Sequence, residues 1–438
     1  RAASMEDEDL VGDEPIDETF VIGLVLQLIQ RHEASSTTMH SVSSPGETGA
    51  GQSLDTSGAD GSPADGDPSV QALCTLWDLT VRESLCDLLV RVHIIPVIAR
   101  ILKDERSSDR LLECCFGVLA NIAMHRPACE ELLRSAEVVE STVNVLMTKN
   151  HVGVLLEVTR VLATAVTHGE VSAPLREHVS GQEVLGRLLV LWFNTLNPQL
   201  QERTSSLLHT LMFYSSEVAT ALIRMHAVPL ANDLLSSHMD DAHPDIAAIE
   251  ALLRMLDVIT TLDDAAESSA VAGLVETLVR VVGRVESSEA IASSVVVLAN
   301  MGARETVGTH LSQDASALEK TCDILAAIDT AMDVRCASWW LVHWCLQRVV
   351  ASSSADASHQ LTTSFFSTNA HAIITAAEHF GRYLEQPCHD ATESEHVAAT
   401  ARVVMSCKQR VSLILSQRDP AATAHTPQHT AQHTHGQW

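Results

Sequence analysis

Lysine is almost missing from this chain: four occur in 438 residues, Lys103, Lys149, Lys320 and Lys408. Lys and Arg together number 28 against 56 Asp and Glu, a formal net charge of −28. A phosphate backbone needs a Lys/Arg footprint, and anionic membrane surfaces attract basic segments. Charge therefore argues against nucleic acid and membrane as partners and is compatible with basic protein segments; it also serves solubility. Aromatic residues make up 3%, so Leu, Val and Ala must build the core. The 10 cysteines contain no C-x-x-C pair, so a structural zinc site of the usual spacing is not expected. Cys114, Cys115 and Cys336 stand inside apolar runs, which reads as core packing in a reducing compartment rather than a disulfide framework. No uncharged apolar run reaches the ~18 residues of a membrane-spanning helix. No P-loop, G-x-G-x-x-G, G-x-S-x-G or H-E-x-x-H is present, so the chain is expected to be no enzyme and to carry no cofactor. The early stretch MEDEDLVGDEPIDE is the opposite of a basic signal-peptide n-region. The chain opens on Arg1, with Met5 as a candidate start.

What is present is helical periodicity. Residues 1–15 read as an acidic disordered leader. Residues 16–33 read as an amphipathic helix that docks on the body, with Asp17 or Thr19 as N-cap. Residues 34–69 are rich in Ser, Gly and Asp and read as a disordered linker, and 419–438 as a disordered His/Thr/Gln-rich tail. Between 70 and 418 apolar residues recur at i, i+3, i+4, i+7, punctuated by Pro96, Pro127, Pro174, Pro198, Pro229 and Pro244 at segment starts. The block Val-Leu-Ala-Asn occurs at 118–121 and again at 297–300. Comparable units start near Ile94, Val138, Gln182, Ala227, Val271, Ala315 and Asn369, a period of roughly 40–47 residues as in armadillo and HEAT repeats. Each unit reads as apolar helix, polar turn, apolar helix. The predicted fold is an all-α, right-handed armadillo/HEAT-like solenoid of about seven units, each burying its neighbour's apolar face.

Three stretches, LCTLWDLTVRESLCDLLVRVHIIPVIARIL, LLECCFGVLANIAMHRPACEELL and LLEVTRVLATAVTHGE, resemble the serum amyloid A-like 1 family. Leu28-Ile29-Gln30, Trp77-Asp78, Leu119-Ala120-Asn121, Leu156 to Arg160 and Thr260 to Asp264 carry the resemblance in order over 16–32 and 70–270. It implies an armadillo-like, non-enzymatic protein inside the cell, in nucleus or cytoplasm, with a role in growth or proliferation regulation. Peptide-binding armadillo grooves carry a ladder of Trp and Asn on the third helix of each repeat. Asn121 and Asn300 match the Asn position, but Gly117 and Val296 stand where Trp would, and Thr164 replaces the Asn of the next unit. The ladder is incomplete, and the favoured reading of both Asn residues is a structural helix-end cap.

Other constellations read as structural. Cys336, His343 and Cys345 do not share one helix face. His425, His429, His433 and His435 lie in the polar tail, where weak Zn or Cu binding is the alternative to disorder. Trp339, Trp340 and Trp344 read as core between late repeats, and Trp77 as a plug at the start of the stack with Asp78 capping a neighbouring helix. Asp240-Asp241 and Asp263-Asp264 read as N-caps, while Ser44-Pro45 and Ser62-Pro63 are candidate phosphorylation sites in the linker. The expected function is a protein-interaction adaptor or scaffold, monomeric, binding basic or disordered protein segments on a concave surface. The candidate binding residues are Asn121, Glu157, Arg160, His209 and Asn300. An assembly subunit held through a flank of the solenoid, and an enzyme with an unrecognised site, remain as alternatives.

Overall fold

Helix ends and helix stripes together set the architecture. The computed structural model describes residues 17–37, 67–262, 271–301, 304–326, 332–351, 365–366, 369–370, 373–378 and 391–418. The leader 1–15, residues 38–66 of the linker with Ser44 and Ser62, Asp263-Asp264, and the tail 419–438 with its four histidines lie outside the described residues. Every regular element among the described residues is helical. The chain divides into two compact units, Arg1–Tyr214 and Ser215–Trp438.

In the first unit the chain opens with α1 (Glu18–Thr37) and α2 (Pro68–Leu79), so helix enters the predicted linker from both sides. Asp17 begins α1, its Oδ1 accepting from the Thr19 amide at 2.9 Å. Val21, Val25 and Leu28, at helical spacing on one stripe, are buried, each contributing roughly 1.5–3 kcal/mol of transfer, and α1 packs on α2 and α4. Three triplets follow: α3 (Glu83–Arg91), α4 (Ile94–Lys103), α5 (Asp109–Met124); α6 (Arg126–Arg134), α7 (Ala136–Thr148), α8 (Val152–Ala165); and α9 (Ala173–Val179), α10 (Gln182–Asn194), α11 (Pro198–Tyr214). Third helices stack in the order α2, α5, α8, α11, and second helices in the order α1, α4, α7, α10. The predicted docking helix α1 is thus the second helix of an opening repeat whose third helix is α2.

The second unit repeats the plan with α12 (Ser216–Arg224), α13 (Ala227–Asp240), α14 (Ile246–Thr260), α15 (Val271–Arg284), α16 (Ser288–Asn300), α17 (Arg304–Gln313), α18 (Ala315–Ala326), α19 (Met332–Ala351) and α20 (Ala391–Arg418). Here α14, α16, α19 and α20 stack in turn, as do α13, α15 and α18. Of the seven unit starts expected, Ile94, Gln182, Ala227, Val271 and Ala315 are each the first residue of a second helix, Val138 lies two residues inside α7, and Asn369 begins none of the helices α1–α20. The expected two-helix unit gains a short first helix in α3, α6, α9, α12 and α17, which makes it an armadillo triplet rather than a HEAT pair.

Third helices start where a side chain satisfies an orphan amide. Asp67 accepts from Ser69 N, Ser108 from Leu111 N, His151 Nδ1 from Val154 N, Asn197 from Leu200 N, Asp245 from Ala248 N and Ser287 from Ala290 N. Asp240 and Asp241 instead close α13 at its C-terminal end, and Asp240 pairs with Arg280 at 2.5 Å; the sequence mistook them for N-caps because it misplaced that helix end. Trp339 and Trp344 are buried in α19 and Trp340 partly so, as a core cluster requires. Asp78 is exposed.

Two close approaches fix the packing of the first unit. Residues 114–120 of α5 are all buried, so this stretch of the helix is apolar all round and enclosed between α2 and α8. At Gly117 a Cβ would lie 2.3 Å from the Trp77 indole; glycine there is the seat on which α2 rests. His93 and His226, with φ of 59 and 64, each turn the chain from a first helix into a second helix, and both are followed three residues on by Pro96 and Pro229.

Gly117→Ala should lose about 1–3 kcal/mol by overpacking, although the same change in an open helix gains about 1 kcal/mol; urea unfolding reads the sign, and a gain would mean the indole yields freely. His93→Gly removes a left-handed side-chain clash and should raise stability by up to about 1 kcal/mol, measured the same way; a loss would show that the imidazole holds a contact worth more than the strain.

Candidate protein-interaction site

Three of the five candidate binding residues converge on one hydrogen-bonded network across the stacked third helices of the first unit. Asn121 sits near the end of α5. Its Nδ2 donates to the Trp77 carbonyl at 3.2 Å and to Thr80 Oγ1 at 2.9 Å, so it caps the C-terminal end of α2. Its Oδ1 accepts from Arg160 Nη1 of α8 at 2.9 Å. Arg160 also donates to the Gly117 carbonyl at 3.2 Å and, through Nε, to Glu157 Oε2 at 2.7 Å. Glu157 is 7% exposed and takes a second guanidinium, Arg203 Nη1 of α11, at 3.3 Å. Arg203 donates in addition to the Leu156 carbonyl at 2.8 Å. One polar chain therefore runs through α2, α5, α8 and α11.

A buried carboxylate is tolerated only when paired and hydrogen-bonded, and two forked guanidinium groups do this for Glu157. Their donors are thereby committed inside the protein. The structural reading of Asn121 as a helix-end cap is what the geometry shows, with the refinement that it caps the neighbouring helix. His209 is half-buried farther along α11. Asn300 belongs to the second unit, where its Nδ2 donates to Asp257 Oδ1 at 2.9 Å. Asn300 is thus bonded within its own unit, away from the network of Asn121, Glu157 and Arg160.

The sequence missed Arg203 and Thr80, whose roles depend on which helices touch. It also missed an exposed apolar row at the C-terminal ends of the third helices. Val81 just after α2 is 78% exposed, Met124 ending α5 is 61% exposed and Phe213 near the end of α11 is 73% exposed. Beneath the row, Thr164 Oγ1 approaches Met124 Sδ at 4.0 Å and the Tyr214 hydroxyl donates to the Thr167 carbonyl at 3.2 Å. Phe213 and Tyr214 meet edge-on at 5.5 Å, and the Arg176 guanidinium covers the Tyr214 ring at 4.5 Å. The end of α8 adds no member, since Ala165 and Val166 are buried there and Thr164 and Thr167 flank them. Among the described residues no group of three or more His, Cys, Asp or Glu side chains is arranged to hold a metal. Burial pushes the thiols of Cys86 up to about 11 and of Cys129 up to about 12, so they stay protonated. No helix among the described residues is long and apolar enough to cross a membrane.

Arg160→Ala leaves Asn121 Oδ1 and the Gly117 carbonyl short of a donor and Glu157 with one guanidinium; about 1–3 kcal/mol should be lost, read as a lower denaturation midpoint with an unchanged slope. Met124→Ser should stay within about 0.5 kcal/mol. If Arg160→Ala proved neutral, the network would be dispensable to the fold.

No family model matches the chain. Over 203 residues it is 23% identical to Protein saal1 of Danio rerio, covering 44% of this chain and 43% of that protein. Over 216 residues it is 21% identical to Protein SAAL1 of Mus musculus, covering 45% and 44%. The chain spans less than half the length of the curated relatives it matches. Among solved structures, one reported for a phosphorylation switch controlling the interaction between cadherin and beta-catenin superposes with a TM-score of 0.59 at 15% identity, over 82% of this chain and 61% of that one. A designed armadillo repeat protein superposes with a TM-score of 0.45 at 15% identity, over 55% and 96%. In sequence the chain is similar to the SAAL1 proteins, and in fold it is armadillo-like.

Proposed function

We propose that this chain is a non-enzymatic adaptor or scaffold that holds a protein partner along the third-helix face of its first unit. The observation that carries the proposal is the set of Val81, Met124 and Phe213: large apolar groups left exposed at or just past the ends of α2, α5 and α11, three of the four stacked third helices. Scattered exposed apolar residues are ordinary, but a row at a repeated position is what an extended partner reads. The binding residues expected from sequence move accordingly. Asn121, Glu157 and Arg160 support the face from beneath, and the helix-end row makes the contact. With a net charge of −28, a basic or disordered segment with apolar anchors is the fitting partner. A monomeric state, a place in nucleus or cytoplasm and a role in growth regulation belong to the same proposal and are supported by the likeness to the SAAL1 proteins alone.

A second reading, an assembly subunit held through one flank, is favoured by Phe20 at 51%, Ile22 at 37% and Leu26 at 50% exposure on α1, on the side away from its buried stripe.

The two readings separate in one experiment. The full chain is used to capture partners from its source cell, alongside Met124→Glu/Phe213→Glu and Phe20→Glu/Leu26→Glu variants of matched thermal stability. Loss of a reproducible partner with the first pair alone supports the third-helix face. Loss with the second pair alone moves the contact to the flank, and retention in both overturns the proposal.

A further inference from the structure

Outside the polar network, α2 and α5 bring two thiols together. Cys74 Sγ and Cys114 Sγ lie 3.2 Å apart, so about 1.2 Å of closure separates them from a bonded pair at ~2.04 Å. The two are unlike each other. Cys74 is part-exposed, and Arg110 Nη2 stands 3.5 Å from its sulfur. Cys114 is buried, and desolvation with the adjacent Cys74 pushes its thiol up to about 12, against the opposing pull of Arg110. Arg110 in turn holds Glu113 at 3.0 Å, and these are the charged groups that face the pair. The first thiol is thus accessible with a guanidinium beside it, while the second is screened from solvent but touches the first. That asymmetry is what a nucleophilic and a resolving cysteine require. Cys115 and Cys86, by contrast, are buried, and Cys86 donates to the Thr80 carbonyl at 3.2 Å.

We infer that Cys74 and Cys114 form a hydroperoxide-responsive dithiol whose disulfide staples α2 to α5. The Cys74 thiolate attacks one peroxide oxygen: an S–O bond forms, the O–O bond breaks, and hydroxide leaves and takes a proton as water. The Cys74 sulfur is oxidised by two electrons to a sulfenic acid, and the peroxide is reduced by two. Cys114 then attacks the Cys74 sulfur; the S–S bond forms, the S–O bond breaks, and the departing hydroxide takes the Cys114 proton and leaves as a second water. An external dithiol reverses the closure by thiol–disulfide exchange. The staple ties the helix that carries Trp77, its seat at Gly117 and the carbonyl capped by Asn121, so oxidation fixes the opening repeat against the rest of its unit. The covalent tie removes freedom from the unfolded chain and stabilises the folded one.

The test uses the full, native chain treated with a modest excess of hydrogen peroxide, then alkylated and mapped by mass spectrometry without reduction. The expected result is a linked peptide pair joining Cys74 to Cys114 with loss of two hydrogen atoms. It should form before other cysteines oxidise, raise the melting temperature, and revert with dithiothreitol. In Cys114→Ala, Cys74 should accumulate a sulfenic acid that a cyclic diketone traps. In Cys74→Ser, Cys114 should resist both peroxide and the trap, and Arg110→Met should slow Cys74 alkylation severalfold. A native wild-type chain in which Cys74 is oxidised but never linked to Cys114, or in which Cys114 is trapped equally well without Cys74, overturns the inference. The linked peptide is read on the wild type, so poor folding of a variant does not rescue it.

Discussion

An α-helix leaves its last carbonyls without intrahelical partners, and in this protein the following repeat contributes donors to carbonyls at and just past those ends. Asn121 donates to the Trp77 carbonyl of α2 across 44 residues of sequence. His168 Nε2 pairs with the Ala123 carbonyl of α5 across 45, and the Tyr214 hydroxyl donates to the Thr167 carbonyl past α8 across 47. Second helices follow the same rule: Arg187 of α10 donates to the carbonyls of Leu146 and Lys149 at the end of α7. In the second unit Lys320 donates to the Val285 carbonyl and Ser316 to that of Gly283. The apolar stripes hold neighbouring repeats together without direction; these bonds fix the register. A repeat lacking its successor has both an open apolar face and unsatisfied helix ends, which is why such arrays are stable only as stacks.

The first unit pushes this dependence to a buried charge. Glu157 sits where α8 meets α11, and burying a carboxylate without compensation is costly. Arginine meets the need because its fork spans two acceptors at once: Arg160 reaches Glu157, Asn121 and the Gly117 carbonyl, and Arg203 reaches Glu157 and the Leu156 carbonyl. A lysine could not bridge three elements in this way, in keeping with a chain that carries four lysines. The same region needs Gly117, since the indole of Trp77 occupies the space of a side chain there. Small residues and forked cations are the two devices that let α2, α5 and α8 approach closely.

This economy shapes the surface left for partners. The polar side chains that a groove would offer are consumed by the fold, as Asn121 and Arg160 are. Among the apolar side chains left accessible, Val81, Met124 and Phe213 lie at or just past the ends of third helices. In the incomplete Trp/Asn ladder Gly117 stands where a Trp would, and the structure shows the reason: an aromatic ring from the preceding third helix already covers that position.

Periodicity fixed much of the architecture before any coordinates. An apolar stripe has one period whatever lies beside it, so α1, the helical class, the repeat length and the first residues of α4, α10, α13, α15 and α18 were all legible, with Asp17 one of two candidate caps for α1. The short first helices were not, because nine-residue segments such as α3 and α6 are too short to show a repeated period, and Asp240 and Asp241 were read as N-caps because Asp is chiefly a signal of helix starts. The convergence of Asn121, Glu157, Arg160 and Arg203 and the meeting of Cys74 with Cys114 belonged to the tertiary structure. Sequence specifies which residues share a helix face, but which faces meet, and therefore which polar groups are spent and which are left exposed, is decided by how the repeats stack.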